Sequence, residues 1–543
     1  MNKAFKAIWS DVRQSFVTTS EIQSSHGKRS KASVSLSVAT VLLATSGLVS
    51  AAYVETGTLG DKASWETAEY NYNWGLGAMN ASSAYALGFY GQNTTTGVMD
   101  SGAWLGNPDL DTPRITATHV TGVYGSSGNR YPQSIYATIQ KGVVPTAAEG
   151  QPFTEGEEFD VKGDYTLGLN DAHGTQVTGV IGAERNGEYG HGVAFKANVV
   201  VGNTGATDNN NYGPFQDYNY YFKGYKALAD AVNAGNGEYR GGMVNNSYGT
   251  NTKIYSSGGH RLTPDEMSEL LAGSGNYDRA SAAYAVTFSG DYSFLGLNDV
   301  PGADQYSTNP SAFEWEYMYF KLKYGDKPSF LDGAYDAVKG TNVILSWAAG
   351  NQDRGTPYLK GLYPYFHPEA EKNWLNAVGV MQTRGDNDQY MQATYCKAGL
   401  AKWWSMSGPT AYPGIGTTYV TTDLENGRLT TTGFNGTSAS DPQISGAFTV
   451  LQSRYPSMTA IQVKDVMYTT ASHIGANGQP FTNWTAAEGT PDVIYGWGMP
   501  DLEKGMYGPG QFLDHFEYRL SEPLDVWSND ITEAGLQQRE KED

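Results

Sequence analysis

The sequence predicts an α/β fold, a mainly parallel β-sheet flanked by helices, with long loop insertions between its elements. Residues 94–100 (TTTGVMD), 197–201 (ANVVV) and 343–349 (VILSWAA) are short apolar runs bounded by glycine or polar residues, the form of strands buried on both faces. From Ser438 the chain places Ile444, Ala447, Phe448 and Leu451 at helical spacing, with Pro442 in the first turn and Pro456 beyond the end. Short strands alternating with helices favour a parallel sheet, because each parallel connection must cross one of its faces.

The first element in order is an address. The run from Val34 to Ala52 is apolar or small, follows Lys28, Arg29 and Lys31, and contains Val49-Ser50-Ala51, a signal-peptidase site. A retained membrane helix is the rival, but serines and threonines dilute the run and its end is shaped for cleavage. Residues 1–51 are therefore expected to leave, with no membrane span in the mature chain. Residues 1–31 carry six basic and two acidic side chains, a local +4. The formal charge of −20 thus becomes about −24 in the mature chain.

Residues 52–85 form an N-terminal segment too short for a folded inhibitory domain, so no propeptide is expected. Residues 86–505 form the main domain. Within it, 104–165, 205–240 and 251–335 are rich in Gly, Asn, Tyr and Asp and read as surface insertions. Residues 506–543 form a tail ending in the charged QQREKED.

Composition narrows the function. An acidic balance of 56 Asp+Glu against 36 Lys+Arg excludes a nucleic-acid partner, whose binding depends on basic side chains releasing counterions. Abundant Gly (66) and Tyr (38) with 17% charged residues suit a sheet-and-loop protein of the cell exterior. Cys396 is the only cysteine, so no intramolecular disulfide forms. It sits in no cysteine-nucleophile setting and reads as a small apolar side chain rather than a catalytic thiol.

Four short motifs carry chemistry, in one order: Val98-Met99-Asp100-Ser101-Gly102, His173-Gly174-Thr175, Ala348-Ala349-Gly350-Asn351 and Gly436-Thr437-Ser438-Ala439-Ser440. Any one alone is an ordinary turn or helix start. Together, in this order, they resemble the subtilases, the subtilisin-like serine proteases of the peptidase S8 family. That resemblance implies a three-layer subtilisin-like fold and a secreted serine endopeptidase acting on polypeptides through Asp100, His173 and Ser438, with Asn351 in the oxyanion hole. The residue types suit the task. A serine hydroxyl needs a base near neutrality, and a carboxylate against the other imidazole nitrogen fixes the tautomer. Ser438 would open the helix described above, aiming its positive end at an oxyanion.

Ser247, Tyr248 and Gly249 resemble the family's edge segment that pairs with substrate backbone. Ala348, Ala349 and Gly350 resemble the facing wall of the specificity pocket. The run Gly190–Ala197 resembles another family segment, with Phe195 in place of the usual proline, so His191 reads as structural. Tyr495-Gly496-Trp497-Gly498 resembles the closing segment. An inactive relative serving as an adhesin would normally lack one of the four site residues, and none is missing. The α/β-hydrolase esterases need Ser before Asp before His and a Gly-x-Ser-x-Gly elbow, both absent here. The chemistry needs no cofactor. Subtilases often carry structural calcium, but neither Asp109-Leu110-Asp111 nor Asp386-Asn387-Asp388 supplies a full ligand set, so no metal site is assigned.

The opening, from Met1-Asn2-Lys3 through Ile8-Trp9-Ser10 to Gly27-Lys28, resembles the extended signal peptide of Gram-negative autotransporters. That resemblance implies export to the periplasm, cell surface or medium, and an outer-membrane translocator if this is a truncated passenger. The 38 residues after position 505 are too few for a barrel of eight strands of about ten residues. The segment Asp525–Ile531 resembles the linker that follows such passengers.

Overall fold

The computed structural model describes residues 5–10, 15–20, 57–129, 152–164, 173–187, 190–204, 217–248, 327–351, 355–382, 390–392, 395–411, 420–423 and 430–508. The chain divides into two compact units, 1–52 and 53–543. In the first, Phe5–Ser10 pairs antiparallel with Ser15–Ser20.

The second unit is built on an eight-stranded sheet. Its strands are β1 (Thr95–Asp100), β2 (Ile115–Ala117), β3 (Asn198–Asn203), β4 (Gly242–Asn246), β5 (Val343–Ala348), β6 (Trp374–Gln382), β7 (Tyr390–Gln392) and β8 (Ser405–Pro409). The spatial order is β7-β6-β5-β4-β1-β3-β2, with β8 also on β6, and only β7 runs antiparallel to its neighbour. The three strands expected from apolar runs are β1, β3 and β5. Every residue of β1, β4 and β5 is buried, as strands covered on both faces require.

The chain leaves β1 for β2 and β3 on one side, then returns to β4 on the other. A parallel sheet opens a crevice at the carboxyl ends of strands where its order reverses. Asp100 ends β1 and Asn246 ends β4, so both lie at that crevice.

Four helices bear on the site: α1 (His173–Gly182), α2 (Tyr218–Asn236), α3 (Phe330–Val338) and α4 (Thr437–Arg454). Helix α4 begins at Thr437, one residue before the expected start, with Gly436 as N-cap. It is buried from Thr437 to Gln452 and packs against α1, β4, β5, β6 and β8. Its small and apolar residues occur all round, as suits a helix enclosed by protein.

The surface-insertion reading of 205–240 is corrected by α2, nineteen residues long and packed on β1 and β3. Tyr221, Tyr225, Leu228 and Val232 form its buried stripe, at a helical period that the surrounding Asn, Gly and Tyr obscure in sequence. The region 104–165 likewise contributes β2 to the sheet, and 251–335 contributes the start of α3.

Residues 57–90 are built into the main core through Trp65, Tyr70, Leu76, Met79 and Tyr85. The Asn73 and Gln443 side-chain amides exchange hydrogen bonds, Asn73 Nδ2 donating at 3.3 Å and Gln443 Nε2 returning at 2.8 Å. The buried Glu69 carboxylate accepts from the N–H groups of Asn186 (2.8 Å) and Gly187 (3.0 Å). No described helix is long and apolar enough to cross a membrane.

Candidate active site

Asp100 closes β1 and is fully buried, so its carboxylate must be held by donors. Its Oδ1 accepts from the Ser101 N–H at 2.7 Å and meets His173 Nδ1 at 2.8 Å. His173 is the first residue of α1. Contact between Nδ1 and the carboxylate selects the tautomer protonated at Nδ1 and makes Nε2 the acceptor nitrogen of the ring. The Phe434 ring stands edge-on to the imidazole at 5.4 Å between centroids, holding its plane from the other side.

The approach of α1 to β1 depends on glycine at 174. A Cβ there would stand 2.1 Å from the Gly102 carbonyl oxygen, while the Gly174 N–H donates to Ser101 Oγ at 3.0 Å. The site therefore closes only because α1 can lie directly on the turn after Asp100.

Ser438 is the second residue of α4, where the first N–H groups have no intrahelical acceptors and the helix dipole is positive. Its Oγ donates to the Ser247 carbonyl oxygen at 2.6 Å. Asn351 follows β5 and the Ala349-Gly350 turn and is exposed. Its Oδ1 accepts from the Thr437 N–H at 2.8 Å and the Thr437 hydroxyl at 3.0 Å. The oxygen side so held fixes which way round the amide lies. Gly436 permits this approach: at φ +84°, a Cβ would meet both Asn351 amide atoms at 2.9 Å.

The residues expected to line the substrate cleft lie at the ends of two neighbouring strands. Ser247 and Tyr248 follow β4, and Ala348, Ala349 and Gly350 close β5 and the turn beyond it. Tyr248 is buried, its hydroxyl 2.6 Å from that of Tyr225, its ring against Trp347 and its carbonyl accepting from Lys360 Nζ at 3.3 Å. Gly249 lies outside the described residues. Cys396 is buried against Ala349, Val378 and Ala398, with its N–H on the Gly350 carbonyl at 3.0 Å, so it backs the wall as a small apolar side chain.

Sequence reasoning missed two contributors. Thr437 appears in sequence only as part of a motif, yet its N–H and hydroxyl clamp Asn351. Asp441 belongs to none of the four motifs, although an acid amid the small and apolar residues of α4 is itself a signal. Burial pushes its carboxyl up to about 7, with the charge of Asp100 acting in the same direction. His191 is enclosed by Tyr70, Tyr85 and Phe195, and burial pushes it down to about 3, consistent with a neutral core imidazole.

Among the described residues no group of three or more His, Cys, Asp or Glu is arranged to hold a metal ion. Asp109 Oδ1 accepts from Asn186 Nδ2 at 3.1 Å. Asp386 and Asp388 lie outside the described residues.

A sequence profile described as the Subtilase family, Peptidase S8, matches residues 91–498. A second, the Extended Signal Peptide of Type V secretion system, matches residues 1–50. The chain is 25% identical over 482 residues to an extracellular serine protease of Serratia marcescens, covering 85% of this chain and 36% of that one. It is 32% identical over 195 residues to serotype-specific antigen 1 of Mannheimia haemolytica, covering 36% of this chain and 19% of that one. The crystal structure of a serine protease of Aeromonas sobria aligns with a TM-score of 0.41 at 18% identity, covering 81% of this chain and 63% of that one. The chain thus spans little more than a third of the Serratia protein and about a fifth of the Mannheimia one.

Proposed function

As the chain belongs to the subtilase family, we propose that it is a serine endopeptidase in which Asp100 orients, His173 moves the proton and Ser438 attacks. Its extended signal peptide marks it for export from a Gram-negative cell. The observation that carries the catalytic reading is the 2.8 Å contact between His173 Nδ1 and the buried Asp100 carboxylate, at the crevice where Ser438 lies in the first turn of α4.

Extended polypeptide would pair with the backbone at Ser247–Tyr248 and place its scissile carbonyl over Ser438. The Ser438 hydroxyl turns from the Ser247 carbonyl toward His173 Nε2, which takes the proton as Oγ bonds to the carbonyl carbon. Negative charge then develops on the former carbonyl oxygen. Asn351 Nδ2 and the Ser438 N–H supply donors already held in place, so they need no reorganisation when the charge appears. The imidazolium, held by Asp100, protonates the leaving amine, and water repeats the sequence on the acyl-enzyme. No metal or cofactor enters these steps. A translocator in the outer membrane, as the type V signal implies, would be the partner in export.

Hydrolysis of an unfolded protein such as casein by the purified chain tests the reading. Release of peptides by the wild-type protein and none by Ser438→Ala supports it; equal release by both refutes it.

A further inference from the structure

Asp441 lies one turn beyond Ser438 and is the only acidic residue of α4, fully buried. Its carboxyl touches both sides of the cleft from below. Oδ1 accepts from the hydroxyl of Ser346 on β5. Oδ2 accepts from the N–H of Asn246, the last residue of β4, at 3.3 Å. Ser247 Oγ lies 3.4 Å from the same oxygen and 2.9 Å from Asn245 Oδ1, sharing its proton between them. Asn246 Nδ2 adds a crosslink between the same two strands by donating to the Ser346 carbonyl at 2.9 Å. The Ser247 carbonyl, at the top of this network, receives the Ser438 hydroxyl at 2.6 Å.

A carboxyl placed here must overcome the cost of leaving water, with Asp100 as a like charge nearby. Ala439 and Ala447 show that small apolar residues satisfy the packing of this helix. What an alanine at 441 could not do is hold Ser346 on β5, Asn246 on β4 and Ser247 just beyond it at once. We propose that Asp441 is a positioning residue for substrate: it ties the ends of β4 and β5, the facing walls of the cleft, to the helix that carries the nucleophile. The distance between the walls, and so the fit of an extended peptide, depends on this one carboxyl. The inference rests on the protease reading above.

With its carboxyl drawn toward neutrality, Asp441 has an isosteric neutral mimic in asparagine. The Asn oxygen accepts from the Asn246 N–H, and its NH2 group donates to a rotated Ser346 hydroxyl. Asp441→Ala, Asp441→Asn and Ser346→Ala are compared in the full chain on an eight-residue fluorogenic peptide cleaved by the wild type and on p-nitrophenyl acetate, which needs no strand pairing. Asp441→Ala is expected to lose about tenfold more kcat/KM on the peptide than on the ester, chiefly through KM, as buried donors left without an acceptor imply. Asp441→Asn recovers most of that difference. Ser346→Ala removes one tether without altering α4 and shows the same bias at smaller size, which decides the matter should Asp441→Ala not fold. Equal losses on both substrates, or an Asn variant as impaired as the Ala variant, overturn the proposal. Fluorophosphonate labelling of the wild-type protein is read alongside: its absence overturns the protease reading itself, whereas equal losses with labelling intact overturn only the role of Asp441.

Discussion

Asn351 Oδ1 accepts two hydrogen bonds from Thr437, one from its N–H at 2.8 Å and one from its hydroxyl at 3.0 Å. Thr437 immediately precedes Ser438, so one residue fixes the amide flip of Asn351 and also begins α4. The Gly350 N–H closes the arrangement by donating to Thr437 Oγ1 at 3.0 Å.

Replacing Asn351 by alanine is therefore expected to lower kcat on the order of 10²–10³ with little change in KM, a magnitude established on a subtilisin asparagine. Thr437→Val keeps the N–H clamp and loses the hydroxyl one, so its loss of kcat should be smaller, about tenfold. Steady-state kinetics on one peptide substrate measure both. A Thr437→Val loss equal to that of Asn351→Ala would mean the hydroxyl alone holds the amide.

Asp100→Asn preserves shape but presents an NH2 group or a weaker acceptor to His173 Nδ1, which favours the wrong tautomer. A loss on the order of 10⁴ in kcat follows, recoverable in part at high pH where a base other than the oriented imidazole takes the proton. Rate measurements from pH 6 to 10 test it, and a loss below tenfold would contradict the assignment.

His191 is buried neutral, its imidazole pushed down to about 3, against an ordinary value of about 6.5 in the unfolded chain. Between those values the unfolded chain binds a proton that the native state refuses. This contribution to stability is fully present above the unfolded value and is lost as pH falls toward 3. Urea midpoints from pH 7 to 4 should fall for the wild-type protein, and His191→Gln should remove about one proton from that slope. Parallel curves for the two proteins would show that His191 does not titrate on unfolding.

The Asn73–Gln443 amide pair predicts that residues 57–90 hold the main domain together. Asn73→Ala leaves the buried Gln443 amide unpaired at a cost of about 1–3 kcal/mol. The double variant should be less destabilised than the sum of the single ones, because each alone already loses the shared bonds. Urea denaturation of the four proteins measures this, and strict additivity would show that the pair is not coupled.

The sheet and the site were legible in sequence to different depths. Strands β1 and β5 are buried along their whole length, and β3, which also reads as a buried run, exposes Asn198 and only half-buries Val200 and Asn203; residues 94–100, 197–201 and 343–349 announce all three as short apolar segments. Helix α2 was hidden because its buried face is built largely from tyrosine, which also fills loops, and its stripe at 221, 225, 228 and 232 lies among Asn and Gly. The four motifs around Asp100, His173, Asn351 and Ser438 stand out in sequence because such a site demands fixed neighbours, such as the glycine at 174 that lets α1 meet the turn after β1. Thr437 and Asp441 act only on other residues of the site. Their roles depend on contacts nearly 90 or more residues away in the chain, which a linear motif does not contain.

The most direct test of the account is the reaction of purified protein with a fluorophosphonate, with the site of modification located by peptide mass spectrometry. A single adduct on Ser438, abolished by Ser438→Ala and strongly slowed by His173→Ala, is the predicted result. A folded wild-type protein that stays unlabelled at Ser438, or labels at another residue, would contradict it.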